Sequence, residues 1–218
     1  MAVITDYGTL KSEIQTWTAR PDSVLGNRVP LFVESAEARL YNGAGEPDSE
    51  LYTPPLRSST METTGTVALT SGVGTLPTEA LEVRRLYRDG DLRGITFQPP
   101  ERFHVFAANN TAASDAIYYT VEAGQITVSP SMTDDLLLSY YRSFDAIGPL
   151  NATGPLIIAH GGLYLAACLF EAFTFMQEGE LAGAHLARLR SLIAGANRTA
   201  AVMRTPGALR IRMRNNIP

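Results

Sequence analysis

Few residues in this chain have the type and spacing that chemistry requires. Hydrolysis of a glycosidic bond needs two carboxyl groups held on either side of it. Two acidic pairs stand close in sequence: Glu34 with Glu37, three apart in a helical stretch, and Asp134-Asp135, just before a strand. Both read as solvated faces or element-end charges. Cys168 lies between Ala167 and Leu169-Phe170. A thiol in such a run behaves as a small buried hydrophobe and not as a nucleophile. There is no G-x-S-x-G elbow for a serine nucleophile. His104, His160 and His185 are isolated, with no second histidine at i+3 or i+4 and no HExxH. Ser71-Gly72-Val73-Gly74-Thr75 is glycine-rich but lacks the lysine of a phosphate loop, so it reads as a turn. Asn109, Asn151 and Asn197 match the N-x-S/T pattern and are read as unmodified. No catalytic residue, metal ligand or cofactor is expected.

Charge carries more information. The formal net charge is −4, yet no Asp or Glu follows Glu180. Seven arginines do: Arg188, Arg190, Arg198, Arg204, Arg210, Arg212 and Arg214. The body up to residue 180 is therefore strongly acidic and the C-terminal part strongly basic. Lys11 is the only lysine, so cationic positions are built for forked contacts and not for solvated point charges. In the last segment Leu209, Ile211 and Met213 alternate with Arg210, Arg212 and Arg214. Period 2 with one apolar and one basic side is the pattern of an extended strand laid on another surface. The arginines could face nucleic-acid phosphates or acidic residues of a protein partner. The second is favoured, because an acidic body repels phosphate.

The composition bounds the class. With 218 residues the chain can bury a core without staples. At 45% hydrophobic and 18% charged residues, wholesale disorder is excluded. A single cysteine excludes a disulfide framework and a cysteine-rich zinc module. The opening MAVITDYGTLKSEI lacks a basic region followed by an apolar run and does not read as a signal peptide. Pro155–Met176 is as apolar as a membrane span of about 20 residues. His160, Gly161-Gly162 and Glu171 inside it favour a buried central helix and no membrane.

The elements follow from periodicity. Leu10, Ile14 and Trp17 mark one face of a helix over 9–18, ended by Arg20-Pro21-Asp22. A second helix is expected over 29–41, with Pro30 in its first turn. Residues 46–59 read as a Pro- and Ser-rich linker. From Met61 the Thr- and Val-rich composition favours strands. AIYYTVE over 116–122 and QITVS over 125–129 form a hairpin about Ala123-Gly124, and LLLSYYR over 136–142 is a further strand. Pro99–Phe103 opens a short helix or turn. Helices return over 155–178 and 181–203, the latter with Leu181, His185, Leu186, Leu189, Leu192 and Ile193 on its buried face. The expected fold is α+β: a helical bundle (1–55 and 149–204), an inserted antiparallel β domain (56–148) and an extended C-terminal arm (205–218).

Three stretches then carry a resemblance: LPTEALEVRRLY at 76–87, YTVEAGQITVSP at 119–130 and LYLAACLFEA at 163–172. With the AEARL run at 36–40 and METT at 61–64, their order and spacing resemble the head-to-tail adaptor, or head-completion, proteins of tailed bacteriophages and gene transfer agents. Two departures are Ala123-Gly124, where a more glycine-rich turn is usual, and Gly161-Gly162 within the long helix. The resemblance implies a non-enzymatic structural protein in a ring, usually of twelve copies, docked under the portal protein. It implies an extended DNA channel with no sequence-specific DNA binding, and a downstream tail nozzle or tube protein as the next partner. It places the chain in the virion, at the head–tail interface, after assembly in the host cytoplasm. It implies a portal-reaching C-terminal extension, here the arm with Leu209, Arg210, Ile211, Arg212, Met213 and Arg214. The alternatives are a peptidoglycan hydrolase and a DNA-binding accessory protein.

Overall fold

The structure is a computed structural model that describes residues 3–109 and 117–204. The helices are α1 (Tyr7–Trp17), α2 (Ser23–Asn42), α3 (Pro100–Asn109), α4 (Pro155–Phe175) and α5 (Gly179–Arg204). The strands are β1 (Glu62–Val67), β2 (Val73–Thr75), β3 (Ala80–Arg88) and β4 (Asp91–Gly94), then β5 (Thr96–Phe97), β6 (Tyr118–Glu122), β7 (Gln125–Ser129) and β8 (Leu136–Arg142). The fold class is α+β, as expected. The chain divides into two compact units, one of residues up to Ser59 with those from His160 onward, the other Thr60–Ala159.

In the helical unit, local sequence sets the ends of the helices. The Asp6 carboxylate accepts from the Thr9 N–H at 2.9 Å and starts α1. That bond, more than any other, holds the Asp6 carboxyl below its ordinary range. Asp22 caps α2 by accepting from the Leu25 N–H at 2.9 Å. The expected start of α2 at Val29 is therefore corrected: Pro30 lies inside the helix, two turns after its N-terminus. Asp22 offers a side-chain acceptor to the first-turn donors, which Pro30 does not. Leu10, Ile14, Val29, Ala36, Leu40, Leu189 and Ile193 are fully buried. Each large aliphatic side chain so buried contributes about 1.5–3 kcal/mol. α4 is long and apolar enough to span a membrane by composition alone, but 67% of its most apolar window is buried inside the protein. Its apolarity is that of a core helix. It bends at His160 (φ −135°, ψ 39°), one residue before Gly161-Gly162. Gly161 is required there, because a Cβ would overlap the backbone carbonyl of Ile4.

The β unit holds two four-stranded sheets, in the orders β1-β8-β3-β4 and β2-β7-β6-β5. They share a core that includes Val67, Leu86, Tyr119, Ile126, Val128, Leu136, Leu138 and Tyr140. All pairings are antiparallel except β5 with β6, which is parallel over Thr96–Phe97 and Tyr118–Tyr119. The expectation of a purely antiparallel unit is corrected at that edge. The chain between β5 and β6 passes through α3, and a crossover of that kind returns a strand in the same direction. The β6–β7 hairpin turns at Ala123 and Gly124, as expected, with φ of 49° and 75°. Two positive φ values suit the twist of a two-residue hairpin loop.

Candidate functional site

Three of the residues that could do chemistry, Cys168, Glu37 and Asp134, are occupied otherwise. Cys168 is fully buried, with Sγ 4.0 Å from the Phe32 carbonyl oxygen. Burial first, then Glu37 and Glu171, push its thiol far up, so it holds its proton. Glu37 is also buried and accepts from the Tyr164 hydroxyl at 3.0 Å, whereas Glu34 faces solvent. The two carboxylates do not share a cleft. Asp134 pairs with Arg88 at 2.7 Å on the surface of the β unit. The 71–75 segment is a turn: Gly72 donates to the Met132 carbonyl and accepts from the Val128 N–H, both at 2.8 Å, and the chain runs on into β2. No helix follows it to receive a phosphate.

The three histidines stay apart in function. His104 meets Glu122 at 3.2 Å on an exposed surface. His160 sits at the bend of α4, where burial pushes its imidazole below the ordinary range. His185 is buried, stacked on Phe173 with ring centroids 5.2 Å apart and edge-on to Trp17 at 5.8 Å. Burial, then Arg188, lowers its tendency to protonate. Among the described residues, no three His, Cys, Asp or Glu residues are placed to hold a metal ion.

Three polar clasps fix the long helices of the helical unit. Arg39 on α2 pairs with Glu171 on α4 at 3.1 Å and lies over the Phe170 ring at 4.5 Å. On α5, the Asn197 amide accepts from the Arg57 N–H at 2.7 Å and donates to the Pro55 carbonyl at 3.0 Å. Arg190 reaches the carbonyls of Tyr52 and Glu50. The expected linker over 46–59 is thus bound to α5 through its backbone. Arg190 is spent within the chain, and Arg188 lies over the Trp17 ring at 6.0 Å. Their positions off the apolar face were legible, but their partners were not, since Tyr52 and Glu50 are distant in sequence. The clasps reach along α5 as far as Asn197. The portal-binding residues expected from the sequence, Leu209, Arg210, Ile211, Arg212, Met213 and Arg214, lie outside the described residues.

The β unit carries a surface feature that the sequence did not announce. β4 pairs with β3 only at Tyr87 and Arg88, and β5 pairs with β6 only at Tyr118 and Tyr119. Between the uncovered lengths of β3 and β6 lies an open cleft of about 400 Å³. Leu76, Ala80, Val83, Phe97, Tyr119 and Val121 give it an apolar lining. Glu82 and Arg84 stand in its wall, Arg84 paired with Glu62 across to β1. Phe97 is 50% exposed at the margin although its ring rests edge-on against Tyr119 at 5.4 Å. The signal available in sequence was the brevity of β5 before Pro99-Pro100.

No curated protein matches the chain. The family model described as SU10 adaptor protein matches residues 5–212, which includes both units and most of the basic C-terminal segment. The chain belongs to the SU10 adaptor protein family.

Proposed function

We propose that this protein is a structural adaptor of a tailed bacteriophage, built into the virion between the head and the tail. The observation that carries the reading is the family match over residues 5–212 on a chain with two separate compact units. Twelve copies form a ring on the portal protein, continue the DNA channel and present a platform to the next tail protein. The arm, residues 205–218, anchors the ring to the portal through the apolar face of Leu209, Ile211 and Met213 and the basic face of Arg210, Arg212 and Arg214. Genomic DNA passes without sequence-specific binding. Assembly takes place in the host cytoplasm.

The role is non-enzymatic. Support comes from three of the chemical candidates: Cys168 holds its proton, Glu37 is bound by Tyr164, and Asp134 is paired with Arg88. The test is a mass measurement on the portal complex isolated from particles. Twelve copies of this chain per portal ring are expected. Purified tailed particles that lack the chain would overturn the reading.

A further inference from the structure

An open groove of about 340 Å³ lies in the helical unit, beside the later turns of α5. One wall is α5 from Ser191 to Ala200, and the other holds Ser58, Ser59 and His160 of the same unit. Over that length α5 rises about 14 Å, or about two and a half turns. Gly195, Ala196 and Ala200 keep the α5 wall low. A Cβ added at Gly195 would meet nothing within 4 Å. The side chains at a contact set how closely two helices approach, so this wall admits a second helix at short range.

The polar groups of the groove lack an acceptor. Ser58 lines it, is 2% exposed, and its hydroxyl has no hydrogen-bond partner. A buried hydroxyl left unpaired is costly, and an acceptor entering the groove relieves that cost. Ser59 and Ser191 bring two further hydroxyls, both on exposed residues. The Thr199 hydroxyl is already committed to the Gly195 carbonyl at 3.0 Å. Among the described residues, no Asp or Glu lines the groove.

Charge asks for the same kind of group. α5 carries no Asp or Glu after Glu180. Arg188 and Arg198 are exposed and flank the Ser191–Gly195 stretch. Among the described residues, neither pairs with a carboxylate. Arg188 lies over the Trp17 ring, a contact that leaves its charge unneutralised. Leu181 and Leu192, 46% and 37% exposed, add apolar surface to the same helix. A nucleic-acid backbone would use the arginines and hydroxyls but not the leucines. A second α5 would set arginine against arginine. We propose that this groove docks an acidic amphipathic helix of a partner protein, one carboxylate accepting from Ser58 and others meeting Arg188 and Arg198. Those two arginines stand about 15 Å apart along the axis, so about three turns of partner helix reach both. The site lies wholly before residue 205 and does not rest on the arm as portal anchor.

Titration of the full chain with labelled synthetic helical peptides of about five turns tests it, read by fluorescence anisotropy. One peptide carries leucine along one face and glutamate elsewhere, and a second has lysine in place of glutamate. A short DNA duplex is the third probe. Saturable binding of the acidic peptide alone is expected, with a change in the emission of Trp17, the only tryptophan. Gly195→Leu fills the groove from an open position and should abolish binding without lowering the denaturation midpoint. Arg198→Glu should weaken binding about two- to tenfold. Ser58→Ala should weaken it about threefold or more while leaving the free protein no less stable, since the hydroxyl it removes is unpaired there. Arg102→Glu, exposed in the β unit, should change nothing. No binding of the acidic peptide up to about 1 mM overturns the proposal. So do equal binding of the two peptides, preference for the duplex, and acidic-peptide binding that survives both Gly195→Leu and Arg198→Glu.

Discussion

The helical and β units end their cores in opposite ways. In the helical unit, side chains from distant segments close the structure: Glu37 with Tyr164, Arg39 with Glu171, Asn197 with the 55–57 backbone. In the β unit, the ladders stop short on β3 and β6 and leave a partly covered apolar floor. A unit sealed by polar clasps closes on itself. A unit with open edges keeps a surface for another chain. The difference teaches that polar bonding between helices completes a fold, while unpaired backbone in a sheet leaves it ready for a partner.

The largest effects should come from breaking the sealed unit. Leu189→Ala removes a fully buried side chain from α5 and should cost about 2–5 kcal/mol in chemical denaturation. Gly161→Ala drives a Cβ into the Ile4 carbonyl and should cost about 1–3 kcal/mol, or more if the N-terminal segment cannot shift. If either change were neutral, the helical unit would not be closed in the way described. By contrast, Leu81→Ser in the half-buried wall of the cleft should alter stability by less than about 1 kcal/mol.

A pH comparison sharpens the same contrast. His160 and His185 both belong to the helical unit and both resist protonation, chiefly because of burial. At pH 7.5 they are neutral in folded and unfolded chains alike, so they contribute no pH dependence there. Below the ordinary histidine value of about 6.5 the unfolded chain takes up protons that the folded chain refuses. Stability of the helical unit should therefore fall as the pH drops from 7 toward 5. Denaturation of the wild type and of His185→Phe across that range checks it. An identical slope in the two would remove His185 from the account.

The smallest effect belongs to the β6–β7 turn. Ala123 holds φ of 49° where a Cβ is disfavoured. Ala123→Gly should stabilise the β unit by up to about 1 kcal/mol, read as a shift in the denaturation midpoint. No gain would mean that the turn is relaxed in another conformation.

How far the sequence reached can be judged from particular residues. The hairpin about Ala123-Gly124 and the strand at 136–142 were legible, because alternation and turn chemistry are local. The face of α1 was legible at Leu10 and Ile14, but Trp17 is 41% exposed, its ring lying against His185 and beneath Arg188. On α5, Leu186, Leu189 and Ile193 are buried as expected, whereas Leu181 is 46% exposed. The buried stripe runs instead through Ala182, a small residue that a reading weighted toward leucine passes over. The clasps of Arg190 and Asn197 were hidden, since their partners are backbone groups rather than complementary side chains. The cleft was hidden for a related reason. It arises from where β4 and β5 stop pairing, and register is a property of two strands and not of one.

The central claim is that this chain is a portal-docked adaptor held by its basic arm. The direct test is to supply particles with the full chain or with a chain ending at Arg204, and to count copies at the head–tail junction. The account predicts a full ring with the complete chain. It predicts an empty junction with the truncated one, which should still fold, since Leu10, Leu138 and Leu189 and the rest of both cores lie before residue 205. A full ring built from truncated chains would contradict it.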